Sequence, residues 1–211
     1  MERPPSLGKI EVITGGMFSG KTEELIGRLK RVFYAKRKVQ LFKPIQDDRY
    51  SKTDVVSHEG HKMEATVVKN CQEIELQVES DTFTVGIEEA QFFDESLVSL
   101  VERLANQGKR VILACLDKDL SGKPFLHEGQ NVVPQLLCLA EQITKLQAVC
   151  MVCGEDANFS QCINQKVLDS LQGKSGSQII VAGKEDFEPR CRRHFTGLYL
   201  EKKTRTSGGS E

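Results

Sequence analysis

The 211 residues are enough for one ordinary domain, with or without a small appendage, and too few for two full-sized domains. Because 29 Lys and Arg balance 30 Asp and Glu, the formal charge is -1, and no global basic field gathers nucleic acid or an anionic membrane. The sequence has no run of about 18 apolar residues and no signal-peptide-like start, which predicts a soluble, cytoplasmic protein without nucleic-acid or membrane partners.

Predicted strands and helices alternate in the first third of the chain. Residues 9–14 alternate between polar and apolar and stop at two glycines, which predicts a strand that runs into a tight loop. From Thr22 onward, apolar residues recur at helical spacing. A second strand is predicted over residues 38–44, where a proline ends it. Residues 45–62 are polar and aperiodic, which predicts a long loop, and residues 65–69 are predicted as a short strand followed by a helix.

The same alternation continues through the middle of the chain. Residues 82–87 are predicted as a strand, and residues 94–106 as a helix with Asp94 as its N-cap. The apolar run 110–116 is typical of a strand buried in a parallel sheet, and residues 132–146 show the spacing of an amphipathic helix. Strands that alternate with helices predict an α/β fold, a parallel sheet core flanked by helices.

The composition changes after residue 147, where we place a domain boundary. Residues 1–147 contain the predicted α/β domain, residues 148–196 are rich in cysteine, and residues 197–211 are predicted to be a flexible polar tail. Within the cysteine-rich part, a Gly/Ser segment precedes a predicted strand over residues 178–182. The chain is therefore expected to have one large domain and one small domain.

A phosphate-binding motif lies between the first strand and the first helix. Gly15, Gly20, Lys21 and Thr22 satisfy the pattern G-x-x-x-x-G-K-[ST], in which the glycines let backbone N–H groups turn toward an anion. The helix adds its positive N-terminal end, Lys21 would reach the β- and γ-phosphates, and Thr22 would bind Mg²⁺. The alternative is a glycine turn beside an exposed lysine, but the flanking strand and helix favour a nucleotide. The predicted phosphate-binding residues are Gly15, Gly16, Met17, Phe18, Ser19, Gly20, Lys21 and Thr22.

Two adjacent carboxylates, Glu88 and Glu89, close the strand predicted over residues 82–87. In a protein with such a phosphate loop, a neighbouring strand end supplies an acid to the metal, and adjacent residues of a strand point in opposite directions. One glutamate is therefore predicted to serve Mg²⁺, and the other to face the acceptor as a general base. The alternative is a solvated acidic turn.

Two paired-ligand motifs in the last third of the chain predict a metal site. Cys150 and Cys153 form a C-x-x-C pair, and Cys191 and His194 form a C-x-x-H pair. With this spacing, one knuckle presents two ligands to a tetrahedral ion, and two knuckles make a closed set for Zn²⁺. Since a closed set leaves no position for water or substrate, the site is predicted to be structural. The alternative is a group of buried or loop thiols beside a surface histidine.

The other cysteines lack spaced partners, and one H-x-x-H pair lies apart from them. Thiols without such partners usually pack in the interior. We predict this for the four remaining cysteines, Cys71, Cys115, Cys138 and Cys162. His58 and His61 lie alone in the polar loop and are interpreted as solvated.

Six segments of the chain occur in the order seen in the cellular-type (type II) thymidine kinases. They are GGMFSGKTEEL (15–25), DDRYS (47–51), EEAQFF (88–93), LDKDLSGKPF (116–125), AVCMVC (148–153) and CRRHF (191–195). Over residues 8–195 the chain therefore resembles this family. The resemblance implies a RecA-like P-loop core with a small C-terminal zinc-binding domain. It also implies transfer of the γ-phosphate of ATP to the 5′-hydroxyl of thymidine, a role in nucleotide salvage for DNA synthesis, and a homotetramer that thymidine triphosphate inhibits by feedback.

The resemblance also implies roles by position. Glu89 matches the catalytic base of the family, while Lys21, Thr22 and Glu88 match the positions that hold phosphate and Mg²⁺. Residues 159–187 resemble the lasso loop, which in this family closes over the nucleoside. The positions that match the nucleoside site are Met17, Asp47, Arg49, Phe92, Leu116, Phe125, Ser160 and Phe187.

The chain departs from the family pattern mainly around the nucleoside site. Glu88 stands where aspartate is usual, and Cys162 where an arginine is common. Leu120 replaces a common phenylalanine, Ala182 a common glycine and Phe187 a frequent tyrosine. These departures leave open a kinase of deoxyuridine or another deoxynucleoside. Two further alternatives are a zinc-containing P-loop ATPase that binds nucleic acid and a catalytically silent homologue.

Overall fold

The computed structural model of the protein describes residues 8–45, 54–56, 62–126, 130–171 and 184–198. Within these ranges, the strands are β1 (Lys9–Thr14), β2 (Val39–Pro44), β3 (Asp54–Val56), β4 (Lys62–Glu64), β5 (Thr66–Val68), β6 (Thr84–Ile87), β7 (Arg110–Cys115), β8 (Gln142–Lys145), β9 (Ala148–Val149), β10 (Asp156–Ala157), β11 (Phe159–Cys162) and β12 (Phe187–Arg190). The helices are α1 (Lys21–Tyr34), α2 (Cys71–Gln77), α3 (Ser96–Asn106), α4 (Val132–Leu139) and α5 (Gln165–Leu171), with short 3₁₀ turns at Ala90–Phe92 and Lys184–Asp186. None of these described helices is long and apolar enough to cross a membrane.

Six parallel strands form the central sheet of the described chain, in the order β5-β2-β6-β7-β1-β8. The register pairs Thr14 of β1 with Cys115 of β7, and Ile87 of β6 with Leu113 of β7. Because all six strands run the same way, their carboxyl ends meet at one edge of the sheet. The segments that follow β1, β6 and β7 therefore lie side by side at this edge. The predicted α/β fold with a parallel sheet is confirmed.

Helices cover both faces of the sheet. β1 shows the division, because Ile13 packs in the cluster of α1 while its neighbour Val12 packs in the cluster to which α3 contributes Leu100. Burial on both faces explains why these strands are apolar throughout. α1 packs closely on β6 at Gly86, where a Cβ would lie 2.8 Å from Leu29 Cδ1 and the leucine side chain would have to shift. The phosphate-loop helix is thereby held against the strand that leads to the two glutamates.

One predicted helix ends early. The sequence predicts a helix over residues 132–146, but α4 ends at Leu139 and the chain then forms β8 at the edge of the sheet. The β-branched Ile143 and Thr144 favour a strand, and β8 pairs in parallel with β1. The Arg28 guanidinium donates to Thr144 Oγ1 at 2.8 Å and ties the new strand to α1. The helix prediction is therefore wrong for the second half of this segment.

The predicted long loop contains a β-hairpin. β3 and β4 pair antiparallel, with Val56 opposite Lys62. The prediction of a structureless segment over residues 45–62 is therefore wrong where these strands lie. Three-residue strands are too short for their period of two to be recognised in the sequence. Outside the described residues lie the predictions for Asp47, Arg49, His58 and His61.

Two pairs of short antiparallel strands, which we call the hairpins, follow the sheet. β9 pairs with β10 and β11 pairs with β12, both antiparallel, and the Met151 N–H donates to the Pro189 carbonyl oxygen at 3.1 Å between them. Cys162 lies opposite Phe187, so the two ends of the predicted lasso segment are paired. The Gly/Ser segment, the strand predicted after it and most of the predicted tail fall outside the described residues.

Candidate active site

The loop between β1 and α1 has the backbone that the phosphate motif requires. Gly15 and Gly20 have φ of 148° and 84°, and a Cβ on Gly15 would lie 2.4 Å from the Leu146 carbonyl oxygen. Only glycine fits such a position without strain. The Lys21 Nζ donates to the Gly16 carbonyl oxygen at 2.7 Å, so its ammonium lies over the loop. A phosphate at this place would meet both the lysine and the N-terminus of α1.

The Lys21 ammonium lies in a cleft with several carboxylates. Burial lowers the pKa of Lys21 below its usual value, and the negative charges of Glu89, Glu88 and Asp117 oppose this shift. Glu88 and Glu89 follow β6 and Asp117 follows β7, the strand that lies between β6 and β1. The cation of the phosphate loop and the acids of the neighbouring strand ends therefore share one electrostatic environment.

Thr22 and Glu88 form a direct pair across this cleft. The Thr22 hydroxyl donates to Glu88 Oε1 at 2.6 Å. Thr22 lies in the first turn of α1, and Glu88 directly follows β6 and is only 4 % exposed. Hydroxyl and carboxylate oxygens suit Mg²⁺, whose neighbouring ligands lie about 3 Å apart in an octahedral site. A small opening of this pair would bring both oxygens to one ion, so the two side chains fit a magnesium site.

Glu89 differs from its neighbour in backbone and in surroundings. It has φ 49° and ψ 43°, a left-handed conformation that non-glycine residues rarely adopt. Its carboxylate accepts a hydrogen bond from the Gln91 side-chain amide, and the residue is partly exposed. Strained residues of this kind recur at functional sites. The adjacent carboxylates thus have separate partners, one on the phosphate-loop helix and one on the 3₁₀ turn after β6.

The aromatic and polar residues predicted for a nucleoside pocket fall into two groups. Phe92 and Phe125 meet edge to face, with ring centres 5.8 Å apart, beyond the ends of β6 and β7. The second group joins the phosphate loop to the lasso segment. The Met17 N–H donates to Ser160 Oγ at 2.9 Å, and the Met17 side chain packs in the cluster of Phe187. Apolar side chains thus flank the phosphate loop on the side of the hairpins.

A compact cluster of metal-ligating side chains lies in the hairpins. Its ligand atoms lie within 4.8 Å of one another and belong to Cys150, Cys153, Cys191 and His194. The sulfurs of Cys153 and Cys191 are 3.8 Å apart. His194 Nδ1 lies 3.3 Å from Cys191 Sγ and 3.8 Å from Cys150 Sγ. A tetrahedral Zn²⁺ with bonds of about 2.3 Å to sulfur and 2.0 Å to nitrogen requires separations of about 3.5 to 3.8 Å. The donor set and its spacing therefore fit a structural zinc ion.

The thiol of Cys150 is held near its metal-binding form. Burial raises the pKa of this thiol, but hydrogen bonds from backbone N–H groups, among them those of Cys191 and Val152, outweigh burial and lower it to about 6. A thiolate is the form that binds metal. The spacing of the four ligands thus carries the interpretation, and the lowered pKa of Cys150 is consistent with it.

The remaining cysteines are not all buried. Cys71, Cys115 and Cys162 lie in the interior as predicted, and burial raises the pKa of Cys71 to about 11 and of Cys115 to about 12. Cys138 is exposed on α4, so the prediction of burial is wrong for this residue. A lone thiol in an amphipathic helix occurs on either face, and neither spacing nor type distinguishes the two.

A sequence model of the thymidine kinase family matches residues 8–195, nearly the whole chain. The chain belongs to this family. It is an ATP:thymidine phosphotransferase, with ATP and Mg²⁺ on the donor side and thymidine as acceptor. The order of its motifs is that of the cellular-type thymidine kinases.

Two polar residues of this thymidine kinase were missed in the sequence. Asp117, two residues after β7, accepts hydrogen bonds from Lys118 Nζ at 2.9 Å and Lys145 Nζ at 2.8 Å. Burial raises the pKa of Asp117, but the two lysines more than offset this, so its pKa lies below the usual range. Gln91 is fully buried beside Glu89. Their place just beyond parallel strands was the one available signal, because such strand ends line active sites.

Proposed function

We propose that this thymidine kinase uses Glu89 as the general base, which takes the proton from the thymidine 5′-hydroxyl as that oxygen attacks the γ-phosphorus of ATP. Lys21 and the loop amides of residues 15–20 hold the triphosphate, while Thr22 and Glu88 hold its Mg²⁺. The product is thymidine monophosphate, a DNA precursor made by salvage. The phosphoryl group passes directly between the two oxygens, so the protein contributes mainly position and charge.

One observation carries this assignment, the different placement of the two glutamates. Glu88 is buried and accepts from Thr22 at 2.6 Å, so its carboxylate faces the phosphate loop and the ion that the triphosphate brings. Glu89 is partly exposed and has a left-handed backbone, and its carboxylate accepts from the Gln91 amide rather than from Thr22. A general base must lie within reach of the hydroxyl that it deprotonates. Glu89 is accessible to an entering nucleoside, and Glu88 is not.

We further propose that thymidine binds between the two apolar groups. The Phe92 and Phe125 rings offer an edge-to-face wall for the base, and the phosphate loop offers Met17 on the opposite side. Ser160 and Phe187 stand in the paired strands at the ends of the lasso segment, residues 159–187. Leu116 completes the proposed set among the described residues, and Asp47 and Arg49 are proposed for the sugar and the phosphoryl group on their motif alone.

The zinc site is proposed to brace a small domain of residues 148–196 beside the α/β domain of residues 1–147, with residues 197–211 as a tail. Homotetramer formation, feedback inhibition by thymidine triphosphate and a cytoplasmic location are proposed on the family resemblance. Light scattering on the purified chain tests the tetramer. Addition of thymidine triphosphate to the kinase assay tests the inhibition, and microscopy of the tagged full chain tests the location.

Deoxyuridine is a second candidate acceptor. Leu120, Cys162 and Phe187, three of the departures from the family pattern, pack in one cluster together with Met17. These departures therefore share a cluster with a position proposed for the nucleoside. Thymidine and deoxyuridine offered at equal concentration in one assay separate the candidates, since the ratio of the two monophosphates is the ratio of their kcat/KM values.

The decisive experiment is the conversion of radiolabelled thymidine to its monophosphate with ATP and Mg²⁺, by the purified chain and by Glu89→Gln. The variant keeps the size of the side chain and removes the base, so we expect turnover to fall about 10²-fold or more while ATP binding stays close to that of the parent. Glu95→Gln, an exposed glutamate before α3, is the matched control and should keep parent turnover. Normal turnover in Glu89→Gln would remove Glu89 from this role.

A further inference from the structure

We propose that Gln91 is a positioning residue, which holds the Glu89 carboxylate in its working orientation by linking it to the backbone at the end of β7. The inference rests on the proposed role of Glu89 as the base. Gln91 itself touches neither the nucleoside nor the phosphate and acts through the carboxylate that it holds.

Both ends of the Gln91 amide are engaged. Its Oε1 accepts from the Leu116 N–H at 3.0 Å, and its Nε2 donates to the Glu89 carboxylate. A backbone N–H only donates, so the oxygen of the amide must face Leu116. The NH₂ group is therefore directed at Glu89, and the orientation of the amide follows from its partners rather than from a choice between two similar atoms.

The surroundings make this link rigid. Gln91 has 0 % exposure, and its neighbour Ala90 is equally buried. The 3₁₀ turn is closed by the Phe92 N–H, which donates to the Glu89 carbonyl oxygen at 3.0 Å. A glutamate side chain has several rotatable bonds, and a partly exposed one samples several rotamers unless a partner selects one. The buried amide supplies that partner to a residue whose backbone is already held in a left-handed conformation.

The link also joins the base to the wall of the proposed nucleoside site. Leu116 directly follows β7, and Phe92 is the residue after Gln91. One short path therefore connects Glu89 through the amide to two positions proposed for thymidine. A displacement of about 1 Å of a catalytic group can cost on the order of 10²-fold in rate. The amide thus keeps the carboxylate in register with the hydroxyl of a bound nucleoside.

The test combines kinetics with a double-mutant cycle. Gln91→Met keeps the length of the side chain and removes both hydrogen bonds, while Gln91→Glu keeps the shape and the bond from Leu116 but replaces the donor toward Glu89 by a second carboxylate. We expect kcat to fall about tenfold or more in both, with the KM for ATP within about twofold of the parent. In a Glu89→Gln background, neither substitution should lower kcat further, because the group that the amide positions is already absent.

Gln40→Met is the matched control. Gln40 lies near the amino end of β2, at the opposite end of the strands from the candidate site. Its amide is also bonded at both ends, to the Gln77 carbonyl oxygen and the Glu79 N–H. Its loss should lower the thermal unfolding temperature without a loss of kcat. If Gln91→Met is too unstable to purify, Gln91→Glu carries the test.

The outcomes separate this inference from the proposal beneath it. Parent turnover in Glu89→Gln overturns the role of Glu89, and the inference with it. A large loss in Glu89→Gln together with parent kcat in the Gln91 variants overturns the inference alone. An equal loss from Gln91→Met in both backgrounds also overturns it, because the effect would then be structural and independent of the carboxylate.

Discussion

Removal of the metal from the hairpins should weaken thymidine binding far more than ATP binding. The perturbation is Cys191→Ser, which takes one ligand from a set whose atoms lie within 4.8 Å of one another. Cys150 and Cys191 are the first and third of the four ligands, and the chain between them includes the whole lasso segment. A metal that joins these two residues therefore closes a loop of about 40 residues before any nucleoside arrives.

The size of the effect follows from the length of this loop. In the chain-entropy treatment, a cross-link around about 40 residues removes about 4 kcal/mol of closure cost. Part of that constraint survives without metal, because β11 and β12 remain paired and the Met151 N–H still donates to the Pro189 carbonyl oxygen. If a third to two thirds of the constraint is lost, the KM for thymidine rises about tenfold to a hundredfold. The phosphate loop, between β1 and α1, lies outside the closed loop in sequence and touches it through Met17 and Phe18, so the KM for ATP should rise much less than the KM for thymidine.

The assay compares the parent, Cys191→Ser and Cys138→Ser, the last being an exposed thiol on α4 that serves as control. Elemental analysis should find one zinc per chain in the parent and in the control, and none in Cys191→Ser. Removal of the metal from the parent with a chelator and its return with zinc give the same comparison without a substitution. A metal-free chain with the parent KM for thymidine would refute the reasoning, since the closure cost would then not depend on the metal.

Three further predictions concern the core and the phosphate loop. Gly15→Ala should lower ATP affinity at least tenfold in a binding titration, because its Cβ would meet the Leu146 carbonyl oxygen at 2.4 Å. Gly27→Ala is its control, since apart from its chain neighbours and the backbone of α1 no described atom lies within 4 Å of that Cβ. In the interior of α1 this change should raise the free energy of unfolding by about 0.5 to 1 kcal/mol in a denaturant titration. Burial raises the pKa of Glu11, but Arg110 and other cations bring it below 4.5, so its stabilising effect is present above that pH and is lost as the pH falls. Glu11→Gln should therefore flatten the loss of stability between about pH 5 and pH 3 in thermal unfolding, and an unchanged acid limb would contradict this.

The central strands and the phosphate loop were predictable because both faces of the sheet are buried. A strand such as β7 is apolar at each of its inner positions. Its run of 6 residues between two turns is too short for a typical helix, so a buried strand was the expected structure. The start of α3 was predicted to within two residues: the helix begins at Ser96 with Glu95 at the N-cap position, so the prediction of Asp94 as N-cap is wrong, although the Asp94 carboxylate accepts from the Ser96 N–H at 2.9 Å. In these places local chemistry and tertiary packing favour the same structure.

The errors lie where tertiary contacts decide. The segment of β8 continues the helical spacing of α4, yet Ile143 is half exposed and the strand exists because β1 offers an edge with which to pair. Gln91 was missed for a related reason. Its partner at the end of β7, the Leu116 N–H, lies 25 positions further along the chain, and neither residue type nor spacing marks such a bond. Buried faces and turns can be predicted because their residues recur at regular spacing. A single hydrogen bond between distant segments leaves no such pattern in the sequence.

The order of the three central strands explains how the site is assembled. β7 lies between β1 and β6, so the phosphate loop and the two glutamates leave the sheet about 10 Å apart, two strand spacings. That distance is too large for direct contact between the strand ends and leaves room for a phosphoryl group above β7. α1 reduces it on one side, because its packing against Gly86 of β6 brings Thr22 within 2.6 Å of Glu88. The Glu89 carboxylate also acts on the charge of Lys21, and it is held by an amide that is itself bonded to the end of β7. In the proposed mechanism, the end of the middle strand therefore sets the position of the Glu89 carboxylate through Leu116 and Gln91.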